Sequence, residues 1–244
     1  MELDERSYQS FIAERREQIL ERVSAACARA GRDASEVELL AVSKTVGTDE
    51  LLAAWRAGWR GFAENRPQEL GRKLAFVEGC SEMAGARFDM IGNLQKNKIN
   101  QVIGRVRLIH SVSSSELAEQ ISVRCEREGI VADVLLETNV SGEQSKSGFS
   151  PDELRAAAES VCDLAGIRVR GLMTMAPKGE PDVARRTFSG LRELEDELSC
   201  RLGTTLDVLS CGMSDDYQIA IEEGATVVRL GRTVFDPNYQ MGAE

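Results

Sequence analysis

Near the start of the chain, Phe11, Ile12, Ile19, Leu20, Val23 and Cys27 recur at helical spacing and Gly31 follows as a stop, which predicts an amphipathic helix over residues 5–30. After it the pattern changes. Short apolar or β-branched runs at residues 37–43, 61–64, 88–91, 108–112, 133–140, 169–173, 206–210 and 226–230 alternate with other segments. Those segments, among them residues 49–58, 115–129, 151–165 and 181–202, are rich in Ala, Leu, Glu and Arg. Strands alternating with helices imply a parallel sheet buried on both faces, which explains the near-continuous apolar runs. About eight such units can close in two ways. An open doubly wound sheet built for nucleotides needs a Gly-x-Gly-x-x-Gly turn or a P-loop, and neither follows the first strand. A closed (β/α)8 barrel takes about 250 residues, and the 244 residues of this chain match that length. The expected fold class is α/β: a single (β/α)8 TIM barrel domain over residues 1–244, the barrel at about 37–235, with an extra N-terminal helix.

Composition narrows the function. Forty acidic against 30 basic side chains leave a net charge of −10, which disfavours a main role in gripping nucleic acid or an anionic membrane. A single histidine, His110, rules out multi-histidine metal sites and mechanisms that need two imidazoles. The six cysteines carry no Cys-x-x-Cys pair and read as reduced, mostly buried residues. Met1 to Ser10 is acidic and polar, and no apolar run approaches the roughly 20 residues of a membrane span. A cytoplasmic protein is expected.

In such barrels the active site lies at the C-terminal ends of the strands. The first strand closes on Lys44, where an apolar mouth would desolvate the amine and free it to condense with an aldehyde. A solvated loop lysine is the plainer alternative. The last two strands end in Cys211-Gly212-Met213-Ser214-Asp215-Asp216 and Arg229-Leu230-Gly231-Arg232, where barrels commonly build a phosphate site from exposed amides. Ser214 stands where it would cap a helix over residues 215–223. The first and eighth strands of a closed barrel are neighbours, so Lys44, Arg229 and the Ser214 and Gly231 loops converge on one mouth. An amine, a guanidinium and a phosphate cradle suggest pyridoxal 5'-phosphate (PLP).

The motifs Ala41-Val42-Ser43-Lys44, Ala63-Glu64-Asn65, Ile91-Gly92-Asn93-Leu94-Gln95-Lys96-Asn97-Lys98 and Asn139-Val140-Ser141-Gly142-Glu143 occur in that order. They are followed by Ser145-Lys146-Ser147-Gly148, Gly171-Leu172-Met173, Gly212-Met213-Ser214-Asp215-Asp216 and Val228-Arg229-Leu230-Gly231. Together they resemble the family of pyridoxal-phosphate homeostasis proteins, relatives of the fold type III barrel domain of alanine racemase. The resemblance implies that Lys44 forms the internal aldimine and Arg229 faces the pyridine nitrogen. It implies that Ser214 with the Gly231 and Arg232 amides holds the phosphate, and that Asn65 lies beside the ring. Ala63 and Arg66 stand where the family commonly has Gly and Tyr, Asp89 replaces a frequent His, and Arg232 replaces a frequent Thr.

A cationic arginine opposite the pyridine nitrogen discourages ring protonation and weakens the ring as an electron sink. Racemisation would also need a second acid or base, which the resembling racemases take from a tyrosine of a second domain. The chain length suggests no such domain, and Tyr8, Tyr217 and Tyr239 are more simply explained by packing or exposure. The expected function is reversible PLP binding in cofactor homeostasis, by a monomer exchanging with apo PLP enzymes or free amino acids. A PLP-dependent amino-acid racemase is the alternative. A cofactor-free lyase using Lys44 or Lys178 is a third reading. His110 is expected to be a hydrogen-bonded structural residue. Lys96, Lys98, Lys146 and Lys178 form either an entry path for the dianion or ordinary solvated charge.

Overall fold

The computed structural model describes residues 5–143 and 146–242, so Met1–Asp4 and Ser145 of the quoted motifs lie outside the described residues. Eight parallel strands close in chain order into a barrel: β1 (Glu38–Val42), β2 (Gly61–Glu64), β3 (Arg87–Met90), β4 (Leu108–Val112), β5 (Ala132–Glu137), β6 (Ile167–Met173), β7 (Val208–Ser210) and β8 (Val227–Leu230). The closing seam pairs Leu40 with Arg229 and Ala41 with Leu230. Around it run α1 (Glu5–Arg29), α2 (Thr48–Arg56), α3 (Pro67–Gly79), α4 (Ser115–Glu128), α5 (Pro151–Cys162), α6 (Pro181–Leu202), α7 (Tyr217–Glu222) and α8 (Arg232–Phe235). The expected barrel and opening helix are both present. α1 buries Ile12, Ile19, Val23 and Cys27 and packs against α2, α7 and α8.

Three boundaries differ from the sequence reading. The third unit carries a 3-10 turn, Lys96–Gln101, in place of an α-helix. Asn97 and Asn100 within it are weak helix formers, which disfavours helical propagation there. β5 stops at Glu137 instead of 140, because Asn139 Oδ1 accepts from the Gly142 amide and turns the chain. α7 begins at Tyr217 instead of 215. Met213, Ser214, Asp215 and Asp216 form a preceding turn in which the Tyr217 amide donates to the Met213 carbonyl.

Strand alternation sorts side chains between the barrel interior and the helix layer. On β1, Leu40 and Val42 pack inside with Ala63 and Val227, while Ala41 joins the outer core with Phe62, Val228 and Leu230. A second interior cluster holds Leu108, Leu135 and Met173. Glu64 falls on the outer side of β2 and meets Lys73 of α3 in an ion pair whose two side chains are 0% and 1% exposed. The Lys73 ammonium also donates to the Ser43 carbonyl, and the Ser43 hydroxyl donates to Glu64 Oε1 at 2.6 Å. The pair thus ties α3 to the ends of β1 and β2, immediately beneath Lys44.

Lys73→Met would leave the Glu64 carboxylate buried without a counter-charge, at a cost of about 3–5 kcal/mol. The expected fall in melting temperature is on the order of 10 °C, and pairing it with Glu64→Leu is expected to recover most of that loss. A single mutant that melts with the wild type would show the pair to be dispensable.

Candidate functional site

A cavity of about 640 Å³ opens over the C-terminal ends of the strands. Lys44, Asn65, Ser214, Arg229, Gly231 and Arg232 all line it, so the structure brings together every site residue expected from sequence. Alternation explains three of them. Lys44 lies two positions beyond the inward Val42, Asn65 two beyond the inward Ala63, and Arg229 two beyond the inward Val227. The burial expected around Lys44 is absent. It sits past the end of β1 with its side chain exposed at the mouth, because β1 stops two residues earlier.

Arg229 is 4% exposed, a guanidinium inside the barrel. Its Nη1 donates to Ser210 Oγ at 2.5 Å and its Nη2 to the Thr174 carbonyl at 3.0 Å. Burial lowers its pKa from the usual arginine range, opposed by Cys211, Asp216 and Glu137. A chain of polar groups continues from it. His110 Nδ1 is 2.9 Å from Ser210 Oγ, His110 Nε2 is 3.0 Å from Asp89 Oδ2, and Asp89 takes Nε and Nη2 of Arg107 at 3.0 and 2.5 Å. Arg107 pairs in turn with Glu38 at 2.7 Å, on the strand ends opposite the cavity. Donor bookkeeping fixes the proton positions. Arginine only donates and a carboxylate only accepts, so in the neutral ring that burial favours the imidazole proton sits on Nε2 facing Asp89, and Ser210 accepts from Arg229 and donates to Nδ1.

Burial pushes His110 below the usual histidine range, opposed by Asp89. Burial of Asp89 would raise its carboxyl, but hydrogen bonds from His110 and Arg107 and the charge of Arg107 hold it below the usual carboxylate range. His110 is therefore a hydrogen-bonded interior residue, as expected from sequence. Asp89 is what its neutral ring is hydrogen-bonded to.

On the rim, Gly212 adopts φ +86°, and a Cβ there would come within 2.6 Å of Ala220 and 2.9 Å of Tyr217, so the turn before α7 requires glycine. Ser214 does not cap α7. The position before α7 is Asp216, whose Oδ1 accepts from the Met213 amide at 2.6 Å. The Ser214 hydroxyl instead accepts from the Thr233 amide at 3.2 Å, joining the β7 loop to α8. Its own proton is not used in that bond.

Arg232 turns its side chain to Asp215 and lies over the Tyr239 ring at 4.9 Å. Glu137, inward at the end of β5, also lines the cavity, and burial pushes its carboxyl up against the opposing pull of Arg229. Lys178 lines the cavity, whereas Lys96 is paired with Glu116 on the surface and Lys146 lies 3.8 Å from Glu143. Sequence reasoning missed Lys73, Ser210 and Glu137. Each sits at a strand end or helix face whose partner is far along the chain, so only the inward or outward parity of its strand hinted at it.

The donor set suits a phosphorylated aldehyde on a nitrogen heterocycle: an amine, a fixed cation, and a hydroxyl beside the backbone amides of Gly231 and Arg232. Among the described residues no group of three His, Cys, Asp or Glu side chains could hold a metal ion. Residues 16–237 match the family described as alanine racemase, N-terminal domain. The chain belongs to that family. Within it, the pyridoxal phosphate homeostasis protein of Aquifex aeolicus (strain VF5) is 41% identical over 223 residues, spanning 91% of this chain and 96% of that protein. The protein of the same name from Pseudomonas aeruginosa is 40% identical over 228 residues, 93% of this chain and 95% of that one. PipY of Synechococcus elongatus PCC7942, solved with PLP bound, superposes with a TM-score of 0.76 at 32% identity, covering 89% of this chain and 99% of that one. The resemblance drawn from the motifs is borne out.

As the sole histidine of this family member, His110 gives a clean readout of the interior chain. Its imidazole is expected to be neutral at pH 7, with the proton on Nε2, by ring nitrogen chemical shifts. A cationic ring at that pH would overturn the proton assignment. The sign for stability follows: the folded pKa is depressed, so unfolding takes up a proton below about pH 6.5. The contribution of this group is complete above that pH and is lost as pH falls.

Proposed function

We propose that the chain binds PLP in this cavity, covalently through Lys44, and takes part in PLP homeostasis by holding and releasing it. The observation that carries the reading is the convergence of Lys44, Ser214 and a rigidly anchored Arg229 on one cavity. It is supported by membership in a family whose relatives are named for PLP homeostasis and include PipY, a structure with PLP bound. When bound, PLP supplies an electrophilic aldehyde and an electron-withdrawing ring. Lys44, exposed at the mouth, offers the amine that condenses with the aldehyde and releases one water. Arg229 presents a fixed cation to the pyridine nitrogen. The Ser214 hydroxyl donates to the phosphate together with the Gly231 and Arg232 amides, and Asn65 lies beside the ring.

Arg229 also argues for a carrier over a fast catalyst. Its charge is held by Ser210 and the Thr174 carbonyl and disfavours a protonated pyridine nitrogen. Exchange with free amino acids or apo enzymes would then be the working step, carried out by a monomer in the cytoplasm. All six cysteines are free, which suits a reducing compartment, and among the described residues no helix is long and apolar enough to cross a membrane.

A second reading, α-carbon chemistry such as racemisation, draws on Glu137, a buried carboxyl with a raised pKa that lines the cavity. It predicts loss of the α-deuteron from some amino acid, and no exchange across a broad panel would exclude it. For the main reading, purified protein mixed with PLP is expected to show the visible absorbance of a lysine-bound cofactor, abolished in Lys44→Ala. An unchanged spectrum in that variant would remove Lys44 from the covalent role.

A further inference from the structure

Arg232 and Asp215 meet across the rim of the cavity, one residue beyond Gly231 and one beyond Ser214. The Arg232 guanidinium is bonded to Asp215 Oδ2 and lies over the Tyr239 ring. The Tyr239 hydroxyl is shared between Asp215 Oδ1 at 2.7 Å and the Ser214 carbonyl at 2.9 Å. Arg15 of α1 holds the Tyr239 carbonyl with both terminal nitrogens at 3.1 Å, so the clasp is anchored from behind. Lys178 is also close enough to favour the charged form of Asp215.

This arrangement places a carboxylate beside the hydroxyl and amides read above as the phosphate cradle. Left alone, that carboxylate would repel a dianion. A free guanidinium at the same place would grip the dianion and slow its release. Bonded to each other, the two leave the rim nearly neutral. We propose that the Arg232 side chain is the internal counter-ion of Asp215 and not a phosphate ligand, so that the pair sets how readily the phosphorylated cofactor is exchanged. The idea rests on the PLP reading of the cavity. It assigns a task to the arginine that stands where the family commonly has threonine.

The test is the dissociation constant of PLP, read from its visible absorbance, for wild type, Arg232→Gln, Asp215→Asn and the double variant. Unphosphorylated pyridoxal serves as the control for folding and for Lys44. The charge-balance role predicts PLP binding weakened about tenfold in Arg232→Gln, tightened severalfold in Asp215→Asn, and within about twofold of wild type in the double variant. Pyridoxal binding is expected to be the same in all four. If the Arg232 guanidinium were a direct phosphate ligand, removing Asp215 would not make good its loss: the double variant would bind PLP clearly more weakly than wild type, and the proposal would fall. It would fall equally if Arg232→Gln bound PLP like wild type. A wild-type protein that takes up neither PLP nor pyridoxal would overturn the cofactor reading itself, an outcome distinct from both.

Discussion

The interior of the barrel is organised by one buried charge. Arg229 cannot leave its guanidinium unsolvated in a barrel interior, so its donors need acceptors. Ser210 and the Thr174 carbonyl supply two of them, and meeting that need propagates a definite order through the molecule. Asp89, ionised and matched by Arg107, takes the one proton of the neutral His110 ring on Nε2, and Ser210 then accepts from Arg229 and donates to Nδ1. A ring proton on Nδ1 alone would leave Nε2 and the Asp89 carboxylate as two acceptors facing each other. The result is a cation whose position is set before any ligand arrives, which is how an electrostatic site avoids reorganisation when it is used.

The outer face of the sheet carries a second buried ionic construction on the opposite strand parity. Glu64 and Lys73 lie between β2 and α3, and Lys73 reaches the Ser43 carbonyl, so the backbone from which Lys44 projects is held from outside. Inner and outer polar sets are kept apart by the apolar clusters of β1, β2 and β8. Each set therefore shapes the cavity from its own side: one positions the cation, the other the root of the amine. The rim adds a third polar group, Asp215 with Arg232 and Tyr239, which lies nearer to solvent and is correspondingly weaker and more adjustable.

Much of this was legible from the chain. The eight apolar runs call for a parallel sheet covered on both faces, and the match of 244 residues to a (β/α)8 barrel, with no dinucleotide-type glycine turn, selects the closed form. Lys44, Ser214 and Arg229 stand out because they end strands, and in a closed barrel strand ends share one mouth. What misled was local. Ser214 looks like the cap of the next helix, but the glycine turn at Gly212 delays that helix to Tyr217 and sends the hydroxyl to Thr233. Lys44 looks buried from the apolar run before it, yet the strand ends at Val42 and the side chain emerges.

The sequence by itself therefore determined the architecture, the parity of each strand and the identity of the residues at the mouth, since these depend on periodicity and chain order. Only the tertiary structure decided which charges neutralise which. Asp89 lies 21 residues from His110, and Ser210 a further 100 along. No local pattern links Arg232 to Asp215 and Tyr239, or Glu64 to a lysine about two turns into α3. Ion pairing inside a barrel depends on distances across the closed sheet, and those exist only once β8 has met β1.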